Sequence, residues 1–295
     1  MYRLSATGLE DTDVDEDYQA LFPDNRAMGD TNLRQAQLVM LRMLRIVDHI
    51  CRKHGIEYWL ESGTLLGAVR HGGFIPWDDD LDIAMRRADY ERFRALAFLE
   101  LPEDLVFQTT ETDVNYRDLL PRIRDTRSKF FEKDKGYVPR HQGIYLDIFP
   151  FDSYPNRLVM AALTLRHRLQ QYRKRLPQDS PGRAAYICGL YTLGLPLVLA
   201  LYAAEWTAWR FRDIFFNKPG QKYLSRGVEV SSKPPHDRRD IFPLREISFE
   251  GYTFFAPHRP DTYLRKKYGD FLKVPPEGER KTHAREIIVN VPQGM

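Results

Sequence analysis

The sequence predicts an α/β (or α+β) fold, in which helices flank a mixed sheet and a helical insertion interrupts the chain. Three observations predict it. A long amphipathic helix over 30–54 is followed at once by an apolar strand over 56–60. Short apolar runs between 105 and 149 have strand composition and are separated by polar turns. A hairpin over 247–256 and a helix over 260–268 follow, so helical and strand patterns alternate along the chain.

These patterns divide the 295 residues into four parts. Residues 1–28 are acidic and poor in apolar side chains, and we expect a disordered arm there. Residues 29–153 are the expected core of the domain, and 154–240 are a helical, partly apolar insertion. Residues 241–295 return to the same domain and end in a basic tail, which we expect to be loop-like beyond Pro276.

Composition narrows the class of protein. A hydrophobic content of 43% is enough for a core, and a net charge of only +3 gives no general case for nucleic-acid binding. The two cysteines, Cys51 and Cys188, form neither a disulfide framework nor a zinc pattern, as is typical of a reducing compartment. The first residues are polar and acidic, unlike a signal peptide, so we expect a cytoplasmic protein.

The first helix is expected to be structural. Asp30 or Thr31 can cap its start, and Gly55 can end it. Its apolar positions recur at helical spacing, which gives one face to bury against the sheet. These positions are Leu33, Val39 or Met40, Leu44, Val47 and Cys51.

Residues 61–85 hold the densest group of chemically useful side chains. A small-residue turn at 62–64 is followed by an acidic run that contains Asp78, Asp79, Asp80 and Asp82. Because side chains alternate along a strand, Asp79 would face away from the other three. Three carboxylates on one face repel one another unless a cation lies among them, and hard divalent cations take such oxygen ligands.

Two alternatives to a metal site fit the acidic run less well. An acidic cluster can be a solvated turn or a helix cap, but the apolar residues around this one favour a partly buried setting, where unpaired carboxylates are costly. A calcium loop also fits the aspartate spacing, but Ile83 stands where that loop needs glycine and Asp89 where it needs glutamate. We therefore predict a site for Mg²⁺ (or Mn²⁺) at Asp78, Asp80 and Asp82.

The small-residue turn predicts a phosphate beside these carboxylates. Gly63 and Thr64 lie between the strand over 56–60 and a short predicted helix over 65–69, an arrangement that points backbone N–H groups at an anion. Arg70 follows, between the turn and the acidic run. A Gly-Thr pair alone is a weak signal, but its combination with the acidic run is typical of a site that handles nucleotides.

A further carboxylate, Asp147, interrupts an otherwise apolar strand over 144–149. A lone aspartate in a buried strand needs a partner, and the same metal would be the simplest one. Arg122 and Arg124 share one face of another predicted strand. They form either a solvated edge, the usual role of such a pair, or a clamp for phosphate.

The insertion contains a candidate membrane segment. Residues 184–204 carry no charge over a length that could span a bilayer, but two glycines and a proline interrupt them. Aromatic side chains and arginines gather at the C-terminal end of this run. Two interpretations remain: a helix at the membrane surface through 184–209, and a buried helix hairpin.

The run GTLLGAVRHGGFIPWDDDLDIAM over 63–85 resembles the signature of the LicD-type phosphotransferases, the group that includes fukutin and fukutin-related protein, in the nucleotidyltransferase superfamily. GIYLDIFPFD over 143–152 extends the resemblance. A third match near the C-terminus consists of Tyr263-Leu264, Tyr268-Gly269-Asp270, Pro275-Pro276 and His283. The resemblance covers roughly 33–152 and 249–283, and the segment over 155–240 matches no family.

The resemblance implies a nucleotidyltransferase-like sheet and metal-dependent transfer of a phospho-alcohol from a CDP-activated donor. The transferred group would be phosphocholine or a polyol phosphate such as ribitol phosphate. The acceptor would be a hydroxyl of a glycan or lipid-linked glycan, as in lipopolysaccharide or teichoic acid biosynthesis. A membrane-peripheral location would suit such an acceptor, and a Golgi-type lumenal location is an alternative to the cytoplasm.

Each predicted site residue has a role in this scheme. Asp80 and Asp82, with Asp78, would hold the metal against the donor diphosphate. Asp147 would complete the metal shell or take the acceptor's proton. The expected phosphate-binding and donor-binding residues are Gly63, Thr64, Arg70 and His283.

Two other functions use the same residues or fewer of them. A nucleotidyltransferase that moves a nucleoside monophosphate from an NTP would need the same carboxylates, so only its products would differ. A non-catalytic glycan- or metal-binding protein is the second alternative. The intact set of Asp80, Asp82 and Asp147 argues against it.

Overall fold

The computed structural model describes residues 17–116, 118, 120–133, 141–154, 181–182, 185, 220–227 and 235–290. In chain order the strands are β1 (Tyr58–Leu60), β2 (Asp82–Arg86), β3 (Leu105–Gln108), β4 (Arg122–Asp125), β5 (Lys129–Glu132), β6 (Tyr145–Tyr154), β7 (Tyr223–Arg226), β8 (His236–Asp237), β9 (Arg245–Phe249), β10 (Tyr252–Ala256) and β11 (Ala284–Ile288). The helices are α1 (Tyr18–Leu21), α2 (Asn32–Lys53), α3 (Ser62–His71), α4 (Arg87–Glu100), α5 (Arg238–Ile241) and α6 (Pro260–Tyr268).

The main sheet is mixed and has the order β1-β2-β6-β4-β3. Strands β2 and β6 run parallel, whereas the other pairs in this order are antiparallel. The second half of β6 also pairs with β7, which in turn pairs with β8. Helices α2 and α4 both pack against this sheet, so the predicted α/β architecture is confirmed.

Helix α2 forms as its sequence predicts. The Thr31 hydroxyl accepts a hydrogen bond from the backbone N–H of Arg34 at 3.1 Å, which satisfies a free donor of the first turn. Gly55, with φ of +59°, follows the end of the helix, where a left-handed conformation favours glycine. The inward face is fully buried at Met40, Leu44 and Val47.

The elements around the acidic run differ from prediction in their bounds. Helix α3 begins at Ser62, so the small-residue turn is the first turn of the helix rather than a loop before it. Strand β2 begins only at Asp82, so the three aspartates before it lie in the chain that enters the strand. The alternation of a strand therefore does not govern the whole acidic run.

The C-terminal region is partly as predicted. The hairpin β9–β10 has Glu250 and Gly251 at its turn, both with positive φ, and α6 has its predicted bounds. The prediction that the tail beyond Pro276 is loop-like is wrong, because a 3-10 turn at Glu277–Glu279 leads into β11, which pairs with β5. Strand pairing satisfies the backbone polar groups of a segment whose side chains carry little apolar periodicity.

The part of the expected acidic arm that the structure describes is folded. The sequence predicts disorder up to residue 28, but residues 17–28 include α1 and a 3-10 turn at Arg26–Met28. Arg26 is buried and its guanidinium donates to Asp125 at 2.7 Å, which ties this segment to β4. Residues 1–16 lie outside the described part of the chain.

The membrane interpretation concerns 184–209, of which the structure describes only residue 185. It therefore stays a prediction. Among the described helices, none has the length and apolar composition needed to cross a membrane.

Candidate active site

A row of charged residues crosses the sheet at one level. Asp82 on β2 is paired in register with Asp147 on β6, and Asp147 is paired in turn with Arg122 on β4. On the other side, the backbone N–H of Glu61 donates to the carbonyl of Asp82 at 3.0 Å, which places Glu61 beside Asp82 at the end of β1. The order across the row is Arg122, Asp147, Asp82 and Glu61, and all four are buried.

Asp147 has a protein partner, which corrects one expectation. We expected the metal to be the simplest partner of this aspartate, but Nε of Arg122 donates to its Oδ1 at 2.5 Å and Nη2 to its Oδ2 at 3.5 Å. The same guanidinium donates to Glu132 at 2.8 Å. Arg122 therefore orients the Asp147 carboxylate, and its positive charge balances it.

Arg124 lies on the same strand face as Arg122, as predicted, but the interpretation of the pair as a solvated edge is wrong. Both arginines are buried, and Arg124 donates to Gln108 at 2.5 Å and to the carbonyl of Gly143 at 2.7 Å. The ring of Tyr145 lies below both guanidinium groups, 4.1 Å and 5.0 Å from them. Arg124 is thus part of the core.

The predicted metal ligands form a cluster of mutually repelling carboxyl groups. Burial raises the pKa of Asp78 to about 7, and the charge of Asp82 adds to this. Burial and the charge of Asp78 likewise raise the pKa of Asp80 to about 8. Burial raises the pKa of Asp82 well above its usual value, and Asp80 and Asp147 add to the shift. The side chains named in these causes act on one another as a single group, and without a cation their ionised forms are disfavoured.

Asp79 binds the C-terminal segment at the edge of this cluster. Its carboxylate accepts hydrogen bonds from the backbone N–H groups of His283 at 2.9 Å and Ala284 at 2.7 Å. The Nδ1 atom of His283 lies 3.0 Å from Asp79 and 3.4 Å from Asp80. The hydrogen bond to Asp79 raises the pKa of His283 to about 9. His283, which is half exposed, therefore stands at the edge of the acidic site.

Gly63 and Thr64 shape the other wall of the cluster. A Cβ atom on Gly63 would lie 2.7 Å from Oδ2 of Asp78, so the glycine allows this carboxylate its close approach to α3. The Thr64 hydroxyl accepts a hydrogen bond from the backbone N–H of Asp82 at 2.8 Å. These contacts connect the first turn of α3 directly to the predicted metal ligands.

Arg70 lies at the end of α3 and holds a loop. Its Nη1 donates to the carbonyl of Phe271 at 3.0 Å and more weakly to that of Lys273 at 3.4 Å. Burial lowers the pKa of Arg70, and the charge of Asp78 opposes this. The guanidinium is therefore near the acidic cluster but is partly engaged by the loop after α6.

A second buried cluster adjoins Asp82 and was not predicted. Glu61 accepts from Lys267 at 2.7 Å, from Arg226 at 3.2 Å, and from the hydroxyl of Tyr263. Burial would raise the pKa of Glu61, but the two cations hold it well below its usual range. Tyr263 belongs to the C-terminal motif that the sequence analysis identified. Arg226 lies within the predicted insertion over 154–240, on a strand that in fact pairs with β6, and the sequence gave no signal for it.

The residues around Asp82 suit a cation chemically, although they are not arranged around one. Within the described ranges, no group of three or more His, Cys, Asp or Glu side chains is placed as a metal site. The chemistry of the donor set fits a hard divalent cation, because such a cation would balance the charge of these buried carboxyl groups and allow them to ionise.

Comparison with known proteins agrees with this geometry. Residues 55–178 match the family model described as "LicD/FKTN/FKRP, nucleotidyltransferase domain". The chain is 30% identical over 268 residues to the lipopolysaccharide cholinephosphotransferase LicD of Haemophilus influenzae, covering 87% of this chain and 97% of that protein. The chain belongs to the LicD family. It is a LicD-like phosphotransferase, and the resemblance read from the acidic run is confirmed.

Shorter matches connect the LicD family to larger proteins. Human ribitol 5-phosphate transferase FKRP is 49% identical over 45 residues, which cover 15% of this chain and 9% of that protein. Mouse ribitol-5-phosphate transferase FKTN is 36% identical over 58 residues, which cover 20% of this chain and 13% of that protein.

Proposed function

We propose that this LicD family member transfers a phospho-alcohol, phosphocholine or a polyol phosphate, from a CDP-activated donor to a hydroxyl of a glycan. The observation that carries the proposal is the in-register pair Asp82 and Asp147, flanked by Asp78 and Asp80. The similarity to a lipopolysaccharide cholinephosphotransferase over most of the chain supports both the chemistry and the kind of acceptor.

In the proposed reaction the acceptor hydroxyl attacks the phosphorus that bears the alcohol. A new bond forms between the acceptor oxygen and this phosphorus, and the bond to the CMP oxygen breaks with its electron pair. Asp147, oriented by Arg122 at 2.5 Å, takes the acceptor's proton. CMP leaves on the opposite side of the phosphorus, because phosphoryl transfer proceeds in line.

We propose Mg²⁺ (or Mn²⁺) as the cofactor, held by Asp80 and Asp82 with Asp78. When bound, it would neutralise charge on the phosphates of the donor. The raised pKa values of these three groups support the proposal. Gly63 and Thr64 shape this site, and Arg70 and His283 at its rim would contact the donor phosphates.

The same proposal includes a lipid-linked glycan as the acceptor and a membrane-peripheral location on the cytoplasmic side. A lipid-linked glycan would be reached best from the membrane surface, through 184–209. Flotation of the full chain with anionic vesicles tests this. Protein that stays at the bottom of the gradient at low salt would favour the buried-hairpin interpretation.

Mass spectrometry of the reaction products tests the function. The enzyme is incubated with Mg²⁺, an acceptor extract and CDP-choline, CDP-ribitol or CTP. Release of CMP that requires both acceptor and a CDP-alcohol supports the proposal. Release of pyrophosphate from CTP, with every CDP-alcohol unconsumed, would instead support the transfer of a nucleoside monophosphate.

A further inference from the structure

Two cations converge at the Glu61 end of the charged row. Arg226 comes from β7 and Lys267 from α6, and only 11% and 10% of their side chains are exposed. Both donate to the Ser62 hydroxyl, Arg226 at 2.7 Å and Lys267 at 2.6 Å, as well as to Glu61. They therefore meet beside the first residue of α3.

This cluster carries more positive than negative charge. The single carboxylate of Glu61 serves both cations. Asp82 is near enough that both cations lower its pKa, but among the described residues neither donates a hydrogen bond to it. Buried cations require compensation, so the surplus favours an anionic ligand next to Asp82.

Arg226 is held ready for such a ligand. Its guanidinium lies over the ring of Phe149, with Cζ 3.5 Å from the ring centre. Its Nε is buried and has no hydrogen-bond partner among the described residues. The cavity that Arg226, Lys267 and His236 line is about 10 Å³ and could hold one water molecule at most, so it has no room for a phosphate. A phosphate would thus approach from the side of Asp82.

We propose that Arg226 and Lys267 bind the phosphate of the nucleotide that leaves, the one retained in CMP. The position of the pair in the row carries this assignment. Asp147, the proposed proton acceptor, lies on one side of Asp82, and the two cations lie on the other. In-line transfer puts the attacking and leaving oxygens on opposite sides of the phosphorus. The cations would stabilise the charge that CMP gains as its bond breaks.

The identity of the nucleotide rests on the proposed function, whereas the anion site does not. Calorimetry with the full chain and Mg²⁺ separates the two, using CMP and cytidine, which lacks the phosphate. Lys267→Gln should weaken CMP binding about tenfold or more and leave cytidine binding unchanged. Arg226→Lys should also weaken CMP binding, because the positive charge is kept but the paired N–H donors of the guanidinium group are lost. Arg265→Gln removes a positive charge from the exposed side of the same helix and is the matched control.

Thermal melting establishes that each variant is folded. If Lys267→Gln does not fold, the test rests on Arg226→Lys, whose CMP binding is measured with inorganic pyrophosphate as a competitor. The proposal is overturned if the variants lose affinity for CMP and cytidine alike, or if their affinity for CMP is unchanged. It is also overturned if the wild type binds CMP no more tightly than cytidine. Turnover of CDP-alcohols by the wild type is a separate readout. Its absence, with phosphate-dependent binding retained, would overturn the transfer reaction and not the anion site.

Discussion

Asp82 and Asp147 occupy paired positions on the parallel strands β2 and β6, so two carboxylates that are distant in sequence stand side by side in the sheet. Parallel neighbours of this kind require a long connection between them, here residues 87–144. The two carboxylates stay together only if β2 and β6 keep their register, and both strands are buried in the sheet.

Asp82→Asn should leave the fold intact and reduce turnover by several orders of magnitude, because positioning and charge neutralisation are most of phosphoryl-transfer catalysis. Without metal, the variant should melt no lower than the wild type, since a buried carboxyl with a raised pKa is replaced by a neutral amide. Asp30→Asn, at an exposed position, is the control. Near-normal rates at saturating Mg²⁺ would remove Asp82 from the mechanism.

Gly63→Ala tests the wall of the carboxylate cluster. The new Cβ would displace the Asp78 carboxylate, 2.7 Å away, and we expect turnover to fall roughly ten- to a hundredfold with little change in melting temperature. Gly278→Ala introduces the same methyl group where no atom lies within 4 Å, so it should have no effect. Equal activity of the two variants would contradict the prediction.

The metal-free protein should lose stability as the pH rises. The pKa values of Asp78 and Asp80 are about 7 and about 8 in the folded state, against 3.8 when unfolded, so over this range the unfolded chain binds fewer protons. The free energy of unfolding then falls with pH. His283 acts in the same direction between 6.5 and about 9, because its folded pKa is raised.

Denaturant titration with EDTA or Mg²⁺, at about pH 5 and about pH 8, checks this prediction. Mg²⁺ should stabilise the protein more at the higher pH, since binding must displace the protons of the carboxyl groups. An equal effect of Mg²⁺ at both pH values, or a stability that rises with pH in EDTA, would argue against a metal at these aspartates.

Asp79→Asn should lower the pKa of His283 towards 6.5, because the hydrogen bond to Asp79 is the main cause of its elevation. An NMR titration of the imidazole measures this directly, with His258 as an internal reference on an exposed surface. Turnover should suffer less than in Asp82→Asn, since Asp79 faces the C-terminal segment. A His283 pKa that does not move would show that Asp79 does not control it.

Glu61→Gln should destabilise the fold by about 3–5 kcal/mol, because it removes the buried carboxylate that serves Arg226 and Lys267. Glu57→Gln removes a half-exposed carboxylate that pairs with Arg86, and should cost less than about 1 kcal/mol. Urea denaturation of both variants gives the comparison. Similar losses in the two would mean that the Glu61 cluster contributes little.

The sequence predicted the features that depend on neighbouring residues. The cap at Thr31, the turn at Glu250 and Gly251, and the acidic run are all local patterns, and each is present. Asp147 stood out because the predicted strand over 144–149 is otherwise apolar.

Features that depend on which strands become neighbours could not be predicted in this way. Periodicity places Arg122 on a face but does not say that Asp147 will be opposite, so its ion pair was missed. Arg226 and Lys267 meet only through the pairing of β7 with β6 and the packing of α6 near α3. Strand β11 was missed because its pairing with β5 is made by the backbone.

The pairing of β6 with β7 has a consequence for how such enzymes can diversify. Tyr154 lies opposite Tyr223, so the chain leaves the sheet and returns to it at adjacent positions. Topologically, everything between them is the connection of one antiparallel hairpin, which a turn of a few residues could replace. Segments of very different length can be exchanged at this point without altering the strand order. The segment over 155–222 can thus change during evolution while the strands that carry Asp82 and Asp147 keep their order.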